Sequence, residues 1–430
     1  MKTMLHIRIM AMGLFIFLIA GNNLTAQTNW VKHVDNPIIE GYAEGPSNTS
    51  GPVVIYDEGI FKMWFLGKGN SFEYRQIFYA ESSDGIDWET YDEPVISSGD
   101  NGDWNREKTT GTVIRVGDTL MMWYSGSSDG FNYDVSIGYA KRHVDDVEWD
   151  LLADPVLEKG EPGKWDETAV FYPVVYYDED AAENEKYKMW YEGFEGTSVY
   201  DPDGVGYATS GNGVNWNKYE DNPVITAGPD GSFYDTWIIG TSVLYYNDKY
   251  HLYFTGWDGT STDPWKYMRT GYATSEDGIE WTIQNEGEAV LDVGGLESWD
   301  DRYADYCTVL LHDNTLKMWY SGKGTTRKIG YAEDLILGIS DLNSTLTKQI
   351  SVYPNPGNDD VTLTYHLSNR SKVSLEIYNQ FGQLISVLVD ETKHVGEHEV
   401  IFESMELPSG IYFCVLKAND EIQTAKIVKL

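Results

Sequence analysis

Between residues 35 and 340 the chain alternates short β-branched and aromatic runs with Asp-Gly and Asn-Gly turns. Nowhere does it sustain the 3.6-residue period of a capped helix, so the pattern predicts strands throughout. One run recurs five times: FKMWFLGKG at 61–69, LMMWYSGSS at 120–128, YKMWYEGFE at 187–195, YHLYFTGWD at 250–258 and LKMWYSGKG at 316–324. Each copy is followed by a GYA-type strand, and the copies are headed by Trp64, Trp123, Trp190, Tyr253 and Trp319, at spacings of 59, 67, 63 and 66 residues. Repetition at that period marks a repeated supersecondary unit. An apolar inner strand precedes each copy, and a short strand ending near Trp88, Trp149, Trp216 or Trp281 follows the first four. Four strands repeated five times predict an all-β, five-bladed β-propeller with blades over about 35–91, 92–152, 153–219, 220–284 and 285–340. Aromatics shared by the copies are expected to pack between blades and not to bind ligand.

The texture changes after 340. A linker over 341–349 leads to 350–430, which carries no copy of the repeat and alternates polar with apolar residues through about seven short strands. An immunoglobulin-like β-sandwich is expected there. At the other end, Lys2 and Arg8 precede the apolar run MAMGLFIFLIAG, and Ala26 offers a small residue for cleavage. Residues 1–26 read as a secretory signal peptide, which leaves 27–340 for the propeller.

Charge narrows the function. The chain has 68 acidic and 31 basic residues, net −37, and the imbalance sits before the tail: residues from 342 on carry 11 acids and 7 bases, the rest 57 and 24. So acidic a protein is a poor partner for nucleic acid or an anionic membrane, and no transmembrane segment is expected beyond the leader. Cys307 and Cys414 lie one in each half, so two buried thiols and no disulfide are expected. No cofactor or metal is expected, and the protein is expected to act as a monomer.

Three motif matches have structural readings. GSSDG at 126–130 fits the nucleophile elbow but lies between strands, with no helix to follow. HVGEH at 394–398 fits an inverted zinc motif but has Gly396 where helical geometry is required. SSDGIDW and SEDGIEW read as hairpin turns locked by their Trp.

Ligand chemistry in a propeller belongs at the mouth of its central funnel, beside the inner strands. Polar residues there that break the repeat need a reason other than the fold. By that test Asp166, Asp235 and Asp300, which recur, are turn formers, whereas Glu44, Arg106, Glu107, Glu167, Trp237, Asp301, Arg302 and Asp305 are the candidates. Converging carboxylates suit cleavage of a glycosidic bond, which needs a raised-pKa acid and a second carboxylate as base or nucleophile. Glu44, Glu107, Glu167 and Asp305 are the catalytic candidates. Arg106, Trp237, Asp301 and Arg302 would hold sugar hydroxyls and stack on a ring.

The repeat, NPVI, WD, MWYSG, IGYATS and DGIxW in order, resembles the five-bladed glycosidase superfamily that contains glycoside hydrolase families 32, 43, 117 and 130, over residues 35–340. The resemblance implies a carbohydrate-active protein, a glycoside hydrolase acting on plant or algal oligo- or polysaccharide; because these families draw their carboxylates from blades 1, 2 and 3, it also implies Glu44 as base, Glu107 as the group tuning the acid and Glu167 as acid. The alternative is a non-catalytic surface propeller that binds carbohydrate. Where family 43 enzymes carry Asp before Pro, this chain has Gly51-Pro52, and its EGP triplet is Glu44-Gly45-Pro46 in blade 1. Phosphorolysis as in family 130 is disfavoured, since no basic cluster is evident in the sequence. The tail resembles the C-terminal sorting domain of the type IX secretion system through YPNP at 353–356, IYNQFGQLI at 377–385, LPSGIYF at 407–413 and the lysine-bearing end. That resemblance implies export through the periplasm, with the secretion machinery as partner and the cargo released or held at the cell surface.

Overall fold

In the computed structural model, residues 30–429 are described apart from 42–46, 70–71, 129, 131–133, 196–203, 259–266, 314, 336–345, 358–359, 368–370, 380–382, 395, 403–406 and 419–420. The leader expected over 1–26 lies outside them. The chain is all-β: apart from one three-residue 3-10 turn at Asn285–Gly287, the regular elements among the described residues are strands.

Each copy of the repeat builds one antiparallel unit. In the first, Asn48–Asp57 pairs with Ile60–Gly69, which pairs with Phe72–Ser82, which pairs with the short strand Glu89–Thr90. The second, third and fourth units repeat this order from inner strands Glu107–Val116, Ala169–Tyr177 and Trp237–Tyr246. The fifth starts at Tyr303–His312 and continues through Thr315–Lys323 and Arg327–Leu335. The inner strands contact one another in cyclic order, first with second and so on to fifth with first.

The fifth unit takes its outer strand from the other end of the chain. Val31–Lys32 pairs with Arg327–Leu335, and Ile39 bridges Ile329. The segment DNPII at 35–39 therefore finishes the fifth unit and does not begin the first, which corrects the boundary at 35. The physical reason is a repeated polar anchor. Asn36 Nδ2 donates to the Tyr331 carbonyl (2.8 Å) and its Oδ1 accepts from the Tyr331 N–H (2.8 Å). Asn222 does the same for Tyr207 in the third unit, at 2.9 and 2.7 Å. Lys32 reaches Asp300 (2.6 Å), which also accepts from the Tyr320 hydroxyl, as Lys218 reaches Asp166 (2.6 Å) beside Tyr191. Asp166 and Asp300 are thus buried ion-pair anchors as well as turn residues. Asp235 accepts from the Gly231 N–H (2.8 Å).

The recurrent tryptophans are core. Trp64, Trp123, Trp190 and Trp319 are fully buried, and three of them reach into the next unit. Trp319 Nε1 donates to Gly85 O (2.7 Å), Trp123 to Gly213 O (2.7 Å) and Trp190 to Gly278 O (2.8 Å). The accepting glycines lie in the DG and NG turns, where a Ser hydroxyl caps the turn and the closing Trp88, Trp216 or Trp281 donates to the same carbonyl. Gly85 adopts φ 82° with Trp319 against it, so a Cβ there would meet both strain and the indole.

The C-terminal segment has its own core. Leu346–Tyr353, Val361–Leu367 and Gly396–Phe402 form one sheet, and Leu384–Lys393, Ser371–Asn379, Gly410–Ala418 and Glu421–Lys429 the other. Residues of both sheets, Leu363 and Leu375 among them, share one apolar cluster. Its first strand begins at Leu346, inside the expected linker, because Leu346 already pairs with Leu367. Cys307 and Cys414 are both buried free thiols.

Candidate functional site

The five inner strands enclose a cavity of about 540 Å³ lined by residues of every unit. Each inner strand is interrupted by a bulge where it passes this cavity, between Ser50 and Val53, Thr110 and Thr112, Phe171 and Val174, Gly240 and Ser242, and Asp305 and Thr308. A bulge re-aims side chains that the pleat would otherwise bury between units. At the bulges Gly51, Tyr172 and Tyr306 have φ of 59°, 43° and 44°. Glycine adopts this freely, whereas for each tyrosine it costs about 1–3 kcal/mol. The two tyrosine rings meet in the cavity with centroids 4.8 Å apart.

A hydroxyl of the preceding unit holds each of these bulges. Ser321 Oγ accepts the Gly51 N–H (2.8 Å), Ser125 Oγ the Tyr172 N–H (2.9 Å) and Thr255 Oγ1 the Tyr306 N–H (3.0 Å). These acceptors occupy one repeat position, the residue after MWY or LYF. In the first unit it is Leu66, and in the third it is Glu192. Glu192 lines the cavity at 1 % exposure, and neither carboxyl oxygen finds a hydrogen-bond partner among the described residues. Burial without a counter-ion pushes its pKa well above the usual carboxylate range. Burial also raises Tyr172 and Tyr306, and a charge on Glu192 would raise both further.

The expected site residues divide. Asp305 is fully buried, and its two oxygens accept from Arg327 Nη1 and Nη2 at 2.8 and 2.9 Å, a bidentate pair. Burial raises the Asp305 pKa and Arg327 pulls it back. Glu107 begins its inner strand, buried, with Arg75 Nη1 at 3.6 Å from Oε2. Trp237 lines the cavity and packs on Trp257 at 5.3 Å. Arg106 stacks its guanidinium 3.9 Å over the Tyr74 ring and hydrogen-bonds that phenol. Glu167 instead turns back to accept the Gly163 N–H, and Asp301 accepts the Glu297 N–H (2.9 Å); both cap turns outside the cavity lining. Arg302 is exposed, with its N–H donated to Lys323 O (3.0 Å). Glu44 lies outside the described residues.

Glu192 lies not before an inner strand but in the strand that follows one, within MWYEG. It too breaks the repeat, since it replaces a hydroxyl or Leu of the other copies. Lys68, Arg75, Lys323 and Arg327 all line the cavity, although they are scattered over 260 residues of chain. The basic cluster that the sequence did not show is assembled by the fold. His394 and His398 make no zinc pair: His398 Nε2 lies 2.8 Å from the His394 carbonyl oxygen. Among the described residues no group of His, Cys, Asp and Glu is placed to hold a metal ion, and no helix is long and apolar enough to cross a membrane.

Residues 351–430 match the family of secretion system C-terminal sorting domains, which marks the chain for type IX export to the cell surface or beyond. Over 293 residues the chain is 26 % identical to an uncharacterized protein of Mycobacterium tuberculosis, covering 65 % of this chain and 90 % of that one. Its fold is similar to a solved glycoside hydrolase at 20 % identity, with TM-score 0.56 over 72 % of this chain and 91 % of the other. A putative glycoside hydrolase from Parabacteroides distasonis has the same TM-score at 18 % identity, with 71 % and 96 % covered. A third similar structure, at 17 % identity and TM-score 0.55 over 71 % and 93 %, comes from family 130, described as mannoside phosphorylases containing glycoside hydrolases that target β-1,2-mannosidic linkages in Candida mannan.

Proposed function

We propose that the five units are the blades of a closed five-bladed propeller, that the tail is an immunoglobulin-like sandwich, and that the exported protein cleaves glycosidic bonds in the central cavity. The observation that carries this reading is Glu192, a buried carboxyl without a hydrogen-bond partner among the described residues, its pKa pushed up by burial, facing a cavity of oligosaccharide dimensions on a fold shared with glycoside hydrolases. A glycosidase acid must hold its proton near neutral pH and give it to the leaving oxygen, and the desolvation of Glu192 works in that direction.

Glu192 therefore takes the role of acid assigned from sequence to Glu167, whose carboxylate is committed to Gly163. Glu107, held beside Arg75, is the second carboxylate, and Glu44 remains a candidate base. Asp305 is a positioning residue: it orients Arg327 at the cavity wall. Tyr306, Tyr172 and Trp237 present ring surface for stacking on a sugar. A glycan-binding propeller without catalysis is the second reading, favoured by the commitment of Glu167 and Asp301 to turns.

The deciding experiment is a panel of aryl glycosides and plant and algal oligosaccharides assayed with wild type and Glu192→Gln. Cleavage by wild type, lost on natural substrates in the variant, supports the enzyme. Binding by both proteins without cleavage selects the second reading.

A further inference from the structure

In a chain whose first 341 residues carry 57 acids and 24 bases, any wall picked at random is negative. Among the described residues the cavity wall is the reverse, with four cations and one acid, Glu192, whose pKa burial pushes well above the usual carboxylate range. Two of the cations have counter-charges: Arg327 is paired with Asp305, and Arg75 lies 3.6 Å from Glu107. Lys68 and Lys323 have no carboxylate within ion-pair distance among the described residues.

The fold brings these lysines to one place, the seam between the first and fifth units. Lys68 stands opposite Asn48 in the first unit, and Asn48 Oδ1 accepts the Arg327 N–H (3.2 Å) across the seam. Lys323 is the cross-strand partner of both Tyr303 and Arg327, with its ammonium 4.9 Å over the Tyr303 ring. Burial and the neighbouring Arg327 charge hold Lys323 below the usual lysine range, a repulsion that a bound anion would relieve. Neutral sugars need hydroxyl donors and acceptors, not uncompensated ammonium groups.

We propose that the cavity takes a glycan bearing an anionic substituent, a sugar carboxylate or sulfate, gripped by Lys68 and Lys323 beside Arg327. This rests on the glycan-directed reading of the same cavity and names its substrate class. The arrangement gives discrimination through charge, while the ring faces of Tyr306 and Trp237 remain available to any sugar.

The test measures binding by the exported full chain carrying Glu192→Gln, so that cleavage does not interfere. The probes are uronate oligosaccharides with their carboxyl-reduced twins, sulfated galactan oligosaccharides with their desulfated twins, and inorganic phosphate alone. An anionic glycan is expected to bind about 10-fold or more tighter than its neutral twin, with the preference shrinking as salt is raised from about 50 to 500 mM. Lys68→Met with Lys323→Met should reduce the preference to about threefold or less, and the Lys→Arg pair should retain it. Equal binding of the twins, no binding anywhere in the panel, a preference that survives the double Met variant, or tighter binding of phosphate than of any anionic glycan would overturn the proposal. If twins bind equally and wild type cleaves neutral glycans, this inference falls and the hydrolase stands. If the anionic preference is seen but wild type cleaves nothing, the inference stands and the hydrolase falls.

Discussion

Tyr172 and Tyr306, 134 residues apart in sequence, face each other with ring centroids 4.8 Å apart, each from a left-handed backbone position pinned by a hydroxyl of the preceding unit. The pairing sits in the cavity wall, where such strain is held only because neighbouring strands over-determine it. Tyr306→Gly removes a ring but relieves the backbone, so the variant should lose no more than about 2 kcal/mol in chemical denaturation. Tyr306→Val keeps apolar bulk yet puts a β-branched residue at φ 44°, and should lose about 3 kcal/mol or more. Equal losses would show that the ring, not the backbone, dominates.

Glu192→Gln should lower turnover on poor leaving groups about 10²–10⁴-fold and affect activated aryl glycosides much less, because the transferable proton is gone while the shape is kept. It should also change stability with a definite sign. The folded-state pKa is raised, so this group's stabilising contribution is fully present below the unfolded value of about 4.3 and is lost as pH rises toward the folded value. Gln does not titrate. Denaturation across pH should show the variant gaining on wild type above about pH 4.3, and converging with it below.

Arg327→Met strands the buried Asp305 carboxylate and should cost about 3–5 kcal/mol, whereas Arg327→Met with Asp305→Asn removes both charges and should cost clearly less. Thermal denaturation of the two variants and wild type checks the ordering.

Lys32→Met breaks the contact with Asp300 that joins the N-terminal strand to the fifth unit. Lys32 is partly exposed, so a loss of about 1–3 kcal/mol is expected, less than for a fully buried pair. Lys218→Met, in the equivalent place on the third unit, is the control: its loss should be similar, but only Lys32→Met should free the N-terminus to proteolysis.

Deleting 346–430 should leave a fragment that melts like the N-terminal part of the full chain and stays in the periplasm. The tail has its own apolar core and carries the export signal. Culture fractionation and calorimetry of the truncated protein check both halves of this expectation.

The strand content and the repeated units were readable from the chain because MWY and GYA recur with turn residues between them, and period-2 patterns survive in a single sequence. Phase was harder. DNPII at 35–39 looks like the start of a unit because it comes first, and only the pairing of Asn36 with Tyr331 reveals that it ends one. Among site residues, Trp237 lines the cavity, and Glu107 and Asp305 lie behind it beside the lining Arg75 and Arg327. Glu167 and Asp301 cap turns outside the lining, since one residue along a strand or turn reverses a side chain's direction, and each found a nearby N–H. The cation cluster was invisible because Lys68 and Lys323 are ordinary surface residues until the first and fifth units meet.

That meeting also sets an order of events. Val31–Lys32 waits for a partner at Arg327–Leu335, nearly three hundred residues later, so the seam cannot form on a nascent chain until almost the whole repeat has been made. The sorting segment at 351–430 is translated after that partner strand. A chain that carries its export address therefore always carries the strand it needs to close, and one terminated before that strand lacks the address as well.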